Sequence, residues 1–514
     1  TINGEIHDTM MAAPLLNENE YSYSLNSLGK MYLDEVKDET MLTEAAQIFG
    51  VDPKSEMYKL APEYVGMYAE QDADLTYRLW QILKKGIYED NITDIYNLER
   101  SLLPVLIDMR SKGVRIDIDK AQQVKQQLKK DEDKIVKEIK NWYGIAPDLW
   151  AAQSLSQVFD RAGLDYPKTP KTQAPSFVAN WLESHDHKLP MAVAKARKLN
   201  KARTTFIDKM ILGHLVDGRI HGELHPLRSD SGGTVTGRFS CSNPNLQQVP
   251  ARDPMIGNLI RSLFIPEEGK HWGCFDYSQQ EPRLTVHYSV ITQQDGAEEA
   301  ALDYNDDDAD FHQIVADMAN ISRKEAKIIN LGLSYGMGKD KLTSQLGISN
   351  EEAEILFNQY HERVPFIRGL RDSAARQGAN RGYVKTILGR KCRFNLYEPH
   401  DRRELPLPFD KAMDEYGGRL KRAYTYKAMN RLIQGSAADM TKQAMLDLYN
   451  EDLLAHTQVH DELNISVTDK KECEKVVEIM RDCVELKVPN KVDAEIGPSW
   501  GNVKHYEEYF DEES

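Results

Sequence analysis

Cysteine is scarce: five in 514 residues (Cys241, Cys274, Cys392, Cys473 and Cys483), none in a C-x-x-C pair. So odd and scattered a set excludes a disulfide framework and a zinc ribbon, and it reads as the reduced thiols of a cytoplasmic protein. Long apolar runs are missing too. The longest, residues 102–107, contains Pro104, which leaves no candidate for a membrane-spanning helix and predicts no membrane partner. The first residues, Thr1 to Glu5, are polar and acidic rather than signal-like, and the absent initiator Met suggests a processed or cut N-terminus. Internal repeats and low-complexity linkers are absent as well. Positive charge is in deficit, with 65 Lys+Arg against 81 Asp+Glu and a net charge of −16. That sum argues against a nucleic-acid partner, whose footprint is usually basic. The distribution argues less firmly. Basic residues cluster in 125–140 and at Lys195, Arg197, Lys198, Lys201 and Arg203, whereas acid concentrates in 303–310 and 507–513.

What is present reads as α+β, with a length that suits three or so domains at roughly 150 residues each. Apolar spacing predicts helices over 62–84, 93–112 (closed by Gly113) and 118–142, the last with a solvated charged face. Residues 217–250 turn to loop. The run 272–275 suits a buried strand, helices resume over 311–377, and a turn-rich section over 382–406 precedes a helix reaching 448. Short strands over 456–459 and 462–467 meet at His460-Asp461. Helical material and a Trp500-Gly501 turn close the chain.

Three stretches carry chemistry. Asp276 ends the apolar strand, where a carboxylate is costly unless a metal or an ion pair compensates it. Pro282 suits the first turn of a following helix. A second carboxylate, Asp461, lies at the tip of the predicted hairpin, where Asp is also an ordinary turn residue. The third stretch begins with Ser322 and Glu325, spaced as a capping box. Arg323, Lys327, Leu331 and Tyr335 then recur every four residues, drifting only ~40° per step at ~100° per residue. They form one stripe, cationic first and apolar later. Two cations at a helix N-terminus oppose the macrodipole, yet they suit a polyphosphate. An ordinary amphipathic helix would show the same spacing.

Taken together these stretches resemble the DNA polymerases of family A. Residues 276–283 (Asp-Tyr-Ser-Gln-Gln-Glu-Pro-Arg) resemble motif A, DYSQIELR; residues 323–336 resemble motif B, R-x-x-x-K-x-x-x-[FY]-G-x-x-Y-G; and residues 458–462 resemble motif C, QVHDE. Residues 236–250 are similar to the family's TGRLSSSNPNLQNIP, Asp310-Phe311-His312 to its D-[IF]-H, 382–390 to its GYVxTxxGR, and 430–435 to its N-x-x-x-QG. Order and spacing agree along essentially the whole chain.

The resemblance implies a right-hand fold: a palm with an antiparallel sheet, and helical fingers and thumb. It implies template-directed addition of deoxynucleoside triphosphates to a primer 3′ end, in DNA replication. Asp276, Asp461 and the Tyr277 carbonyl would hold two Mg²⁺ ions, for which Mn²⁺ can substitute. Arg323, Lys327 and His312 would hold the triphosphate, with Lys327 the proton donor to pyrophosphate. Tyr335 would abut the nascent pair, and Gln279 and Glu281 would lie at the nucleotide, Glu281 excluding a ribose 2′-hydroxyl. Arg238, Asn245, Gln247, Asn430, Gln434 and His460 would touch primer–template DNA without reading sequence. Leu331 departs from the family's Phe or Tyr. Lacking hydroxyl and ring, it predicts strong discrimination against dideoxynucleotides, relieved by Leu331→Tyr about tenfold to a hundredfold.

The same resemblance divides the chain into a thumb (96–225), a first palm segment (226–299), fingers (300–400) and a second palm segment (401–514). Tyr68 and Asp72 in 1–95 match the third motif of a ribonuclease H-like 3′–5′ exonuclease, Y-x-x-x-D. The carboxylates of two earlier motifs are not found, so a truncated domain without proofreading is expected, serving as scaffold. A thumb lacking a large insertion argues against a processivity-factor loop. A monomeric, phage-borne enzyme acting in the host cytoplasm or nucleoid is expected. A single-subunit RNA polymerase is the rival within enzymes, opposed by Glu281 and residues 236–250. A silent DNA-binding subunit is opposed by retention of Asp276, Lys327 and Asp461.

Overall fold

The computed structural model describes residues 4–251, 253–304, 310–319, 321–334, 343, 346 and 348–513. It is an α+β chain, helical at its N-terminal side, in which a five-stranded antiparallel sheet and four smaller sheets sit among helices in the described residues.

The first long helices are α1 (Pro62–Glu89), α2 (Thr93–Lys112) and α3 (Ile118–Tyr143). Proline opens α1, where its missing N–H costs nothing. Gly113, at φ +64°, closes α2 by donating to the Met109 carbonyl. Asp117 caps α3 through the Lys120 N–H, and α3 buries Leu128, Ile135 and Ile139 on one face together with Glu132, which pairs with Arg203. That stripe packs on the helix Lys188–Lys201, in a core that reaches Trp272 and Cys274 on one face of the central sheet.

The central sheet takes its middle strand from β1 (His271–Tyr277), followed in the chain by the helices α4 (Gln280–Ile291), α5 (Phe311–Ala319), α6 (Arg323–Ser334), α7 (Asn350–Arg363), α8 (Pro365–Arg381) and α9 (Ala428–Asn450). The remaining strands are β2 (Thr457–Val459), β3 (Glu462–Val467), β4 (Val492–Ser499) and β5 (Asn502–His505), with α10 (Lys470–Asp482) between β3 and β4. Spatial order is β2-β3-β1-β4-β5, all pairs antiparallel. Two-residue alternation then sorts the side chains. Phe275, Tyr277, Leu463, Ile465, Val467, Val492, Ala494 and Ile496 form one face, buried with Met440 and Met445 of α9 and Val476 and Met480 of α10. The opposite face places Glu462 and Asp493 on either side of Asp276, and Asn464 and Glu495 on either side of Cys274.

The sequence reading is corrected at two places. The C-terminal region is not simply helical: Val492, Ala494 and Ile496 alternate with Asp493 and Glu495, and this pattern builds β4. The turn-rich section holds a hairpin, Tyr383–Lys385 with Lys391–Arg393, and the strand Leu396–Pro399.

Four buried charges tie that hairpin to the rest. Arg390 Nε donates to Asp439 Oδ1 at 2.9 Å, and its Nη2 pairs with Glu99. Lys442 Nζ donates to Glu99 Oε1 at 2.5 Å and to the Pro226 carbonyl at 2.7 Å. Thr386 Oγ1 donates to Asp439 Oδ2 at 2.5 Å. None of the four charged side chains is more than 4% exposed. Among the described residues no helix is long and apolar enough to cross a membrane.

Candidate active site

Asp276 lies near the C-terminal end of β1, directly between Glu462 and Asp493. Asp461 belongs to the two-residue turn joining β2 to β3, and its carbonyl accepts from the Tyr277 N–H at 3.3 Å. His460 takes φ +60° in that turn, and Gln458 Nε2 donates to its carbonyl. The hairpin thus sets the Asp461 backbone against the end of β1. The Tyr277 side chain is on the apolar face, its hydroxyl donating to the Met480 carbonyl at 2.7 Å.

Electrostatics single out this corner. Burial, then the fields of Asp461, Glu462, Asp493 and Glu495, push Asp276 up to about 8. Burial also raises Asp461, opposed by Arg238 and His460, and raises Glu462. Glu462 Oε1 is tied down by Asn464 Nδ2 at 2.7 Å and Trp500 Nε1 at 3.1 Å. Asp276 Oδ1, by contrast, is shielded from solvent without a hydrogen-bond partner. A buried carboxylate oxygen left so, among other acids, fits a cation. No group of three or more His, Cys, Asp or Glu side chains among the described residues is arranged as a metal cage. Two carboxylates and a carbonyl nevertheless suit Mg²⁺, which keeps waters and substrate phosphates as its other ligands.

Glu281, in the first turn of α4, is paired with Arg238, whose carbonyl accepts from Thr234 Oγ1 at 2.9 Å. Burial raises Glu281 against that pairing. Gly237 takes φ +81°, and a Cβ there would stand 2.7 Å from the Arg390 guanidinium, so only glycine fits. Gln247 Nε2 donates to Gln458 Oε1 at 2.9 Å, and Asn245 caps the short turn 246–248 through the Gln247 N–H at 3.1 Å. Arg238, Gln247, Gln458 and His460 line one crevice. Asn430 and Gln434, half-buried, lie one turn apart on α9.

On the helical side, Gln279 Oε1 accepts from the Phe311 N–H at 2.6 Å, joining the residue before α4 to the start of α5. His312 follows on α5, half-buried, with Asn330 Nδ2 3.1 Å from its Nδ1. The capping box is formed: Ser322 N–H meets Glu325 Oε2 at 2.8 Å and Glu325 N–H meets Ser322 Oγ at 3.3 Å. Arg323 and Lys327 are exposed one turn apart on α6, and Arg323 Nε donates to Asp310 at 2.8 Å. Leu331 lies on α6, its side chain outside the described residues, as is Tyr335 altogether.

Far from this corner, Tyr68 and Asp72 lie one turn apart on α1. Lys37 Nζ donates to the Tyr68 hydroxyl at 2.8 Å and pairs with Asp72 at 3.3 Å. Sequence reasoning passed over Asp493, Glu495, Asn330 and Tyr360. The first two are visible as the acidic half of an alternating strand; the second two have no local signal.

Comparison with known proteins gives a consistent picture. Residues 118–502 match DNA polymerase family A. A DNA-directed DNA polymerase of Pseudomonas phage M6 is 36% identical, over 96% of this chain and 79% of its own. The DNA polymerase DpoZ of Acinetobacter phage SH-Ab 15497 is 30% identical, over 96% and 84%. Among solved structures, the POL domain of Pol1 from M. smegmatis, in complex with DNA primer-template and dNTP, superposes with a TM-score of 0.74. It is 25% identical and covers 97% of this chain and 82% of that one.

Proposed function

From the premise that this chain belongs to DNA polymerase family A and performs template-directed DNA synthesis, we propose that the Asp276–Asp461 corner is where the nucleotide is transferred. The observation that carries this is the unpartnered Asp276 Oδ1, buried among acids at the meeting of two strand ends.

In this reading the primer 3′-oxygen attacks the α-phosphorus of a dNTP, and the bond to the leaving pyrophosphate breaks. Asp276, Asp461 and the Tyr277 carbonyl would hold two Mg²⁺, or Mn²⁺ in substitution, which would supply charge neutralisation to the transfer. Lys327 and Arg323 reach the triphosphate from α6, and Lys327 gives a proton to the leaving pyrophosphate. Their exposure supports this, as does the weak, exposed pairing of Arg323 with Asp310, which a polyphosphate can replace. His312 adds a contact. Gln279 and Glu281 flank the sugar, with Leu331 and Tyr335 beyond, and Glu281 rejects ribonucleotides. Arg238, Asn245, Gln247, Asn430, Gln434 and His460 position the primer–template.

The domain assignment follows: thumb 96–225, palm 226–299 and 401–514, fingers 300–400, acting as a monomer inside a phage's host. Residues 1–95 act as scaffold, since the Lys37 ammonium occupies the Asp72 carboxylate.

The test is primer extension. Asp276→Asn and Asp461→Asn each abolish it, by more than about a thousandfold, while duplex binding stays near wild type. Extension within tenfold of wild type by either variant overturns the assignment.

A further inference from the structure

We propose that Asn330 is a positioning residue that fixes the tautomer of His312, so that the imidazole turns an N–H rather than a lone pair toward the triphosphate.

The inference follows a chain of three side chains. Tyr360 of α7 is fully buried, and its hydroxyl donates to Asn330 Oδ1. With that oxygen so engaged, the amide offers its Nδ2 on the other side, 3.1 Å from His312 Nδ1. An amide nitrogen can only donate, so Nδ1 must accept. A neutral imidazole that accepts at Nδ1 carries its proton on Nε2, across the ring. Asn330 is itself only 5% exposed, and the packing of α5 on α6 holds donor and acceptor in place.

The surroundings support the neutral form. Burial lowers the His312 pKa, Lys327 and Arg323 of α6 lower it further, and Asp310 opposes them. Glu281 and Met429 line the same small crevice. Protonation would also place an Nδ1–H against the Asn330 amide hydrogens. Neutral His312 can still serve a phosphate oxygen, provided the face it presents is N–H. The wrong tautomer would present a lone pair to an anion. Asn330 removes that alternative before the nucleotide arrives, and the Tyr360 hydroxyl bonds the far side of the amide.

The functional half of this inference rests on the reading of His312 as a triphosphate contact; the tautomer does not. Nitrogen NMR of the full chain labelled at histidine, with the His312 signals identified by their loss in His312→Gln, is expected to show protonated Nε2 and unprotonated Nδ1 at neutral pH. Asn330→Asp is expected to reverse this, because a carboxylate accepts from Nδ1–H. Steady-state kinetics supply the second arm. Asn330→Leu is expected to raise the dNTP KM about tenfold with kcat within a few-fold, and Tyr360→Phe to raise it less. In a His312→Gln background Asn330→Leu is expected to add nothing further, an outcome that general loosening of α6 would not give. If Asn330→Leu does not fold, Tyr360→Phe alone carries the kinetic arm. A protonated Nδ1 in the wild type overturns the inference. So does a normal KM in the Asn330 and Tyr360 variants when His312→Gln raises it. If His312→Gln itself leaves KM unchanged, the reading of His312 fails and the functional half falls with it.

Discussion

Two clusters of charge in this molecule, one fully buried and one half-buried with Asp493 exposed, are built in opposite ways. Glu99, Arg390, Asp439 and Lys442 are two acids and two bases, each within hydrogen-bond reach of a counter-charge. Asp276, Asp461, Glu462 and Asp493 are four acids, with Arg238 opposing from one side and Asp276 Oδ1 left without a partner. The first cluster brings its own counter-ions into the interior, although Glu99 Oε2 and Arg390 Nη1 are left without hydrogen bonds. The second lacks them, and under the function proposed above it would draw cations and a polyphosphate from outside. A balanced buried cluster is therefore architecture. An unbalanced one is a place where something binds.

The largest effect expected is on the balanced side. Lys442→Met leaves Glu99 short of a counter-ion in the core and should cost about 3–5 kcal/mol in urea unfolding. Adding Glu99→Gln should recover most of that loss, because the stranded charge is then gone. A single variant within about 1 kcal/mol of wild type would break the comparison, since a self-sufficient cluster cannot lose a member so cheaply.

The acidic side should respond with the opposite sign. Asp276→Asn is expected to stabilise the metal-free protein, by roughly 1–3 kcal/mol near pH 8, because it removes a desolvated, repelled charge. The pH dependence follows from the raised pKa of Asp276. A carboxyl group whose folded-state pKa lies above its unfolded value binds protons more tightly when folded. The penalty for ionising it therefore grows as pH rises from the ordinary 3.8 and is complete above about 8. The stability gap between variant and wild type should widen across that window and then level off. A gap that is constant with pH, measured in EDTA by thermal melts, would show that Asp276 is not the titrating group.

The smallest effect is the response to cation. Millimolar Mg²⁺ should raise the wild-type Tm by a few degrees at pH 8, and less at pH 6, where protons compete for the same carboxylates. Asp276→Asn should lose most of that rise, and Lys442→Met should keep it. An equal rise in all three proteins would mean that the ion binds elsewhere.

These two clusters also show what a sequence can disclose. Asp276 and Asp461 stood out in the sequence because each belongs to a short run that resembles a motif of the family, and the structure places both at one corner. Arg323 and Lys327 were legible because their spacing is one helical turn, and the capping box beside them is a local rule met locally. Glu99, Arg390, Asp439 and Lys442 carried no such mark. They are separated by up to 343 positions, and nothing local to any of them names its partners. Asn330 and Tyr360 were hidden for the same reason, since one hydrogen bond between two helices has no sequence period. Strand β4 was legible in its alternation and was still passed over, because the alternation covers only the five residues Val492 to Ile496 before Gly497-Pro498 breaks it.

The bond from the Phe311 N–H to Gln279 Oε1 has a mechanical consequence. Gln279 sits in the left-handed region at φ +55°, a conformation that costs a non-glycine residue roughly 1 kcal/mol and that a tertiary bond helps to offset. It couples the turn leaving β1 to the first residue of α5, so the end of the central strand and the helix bearing His312 share one rivet. Any swing of the helices beyond must pivot about that rivet or shear it. Load applied at His312 is thereby carried straight back to the end of the strand that holds Asp276.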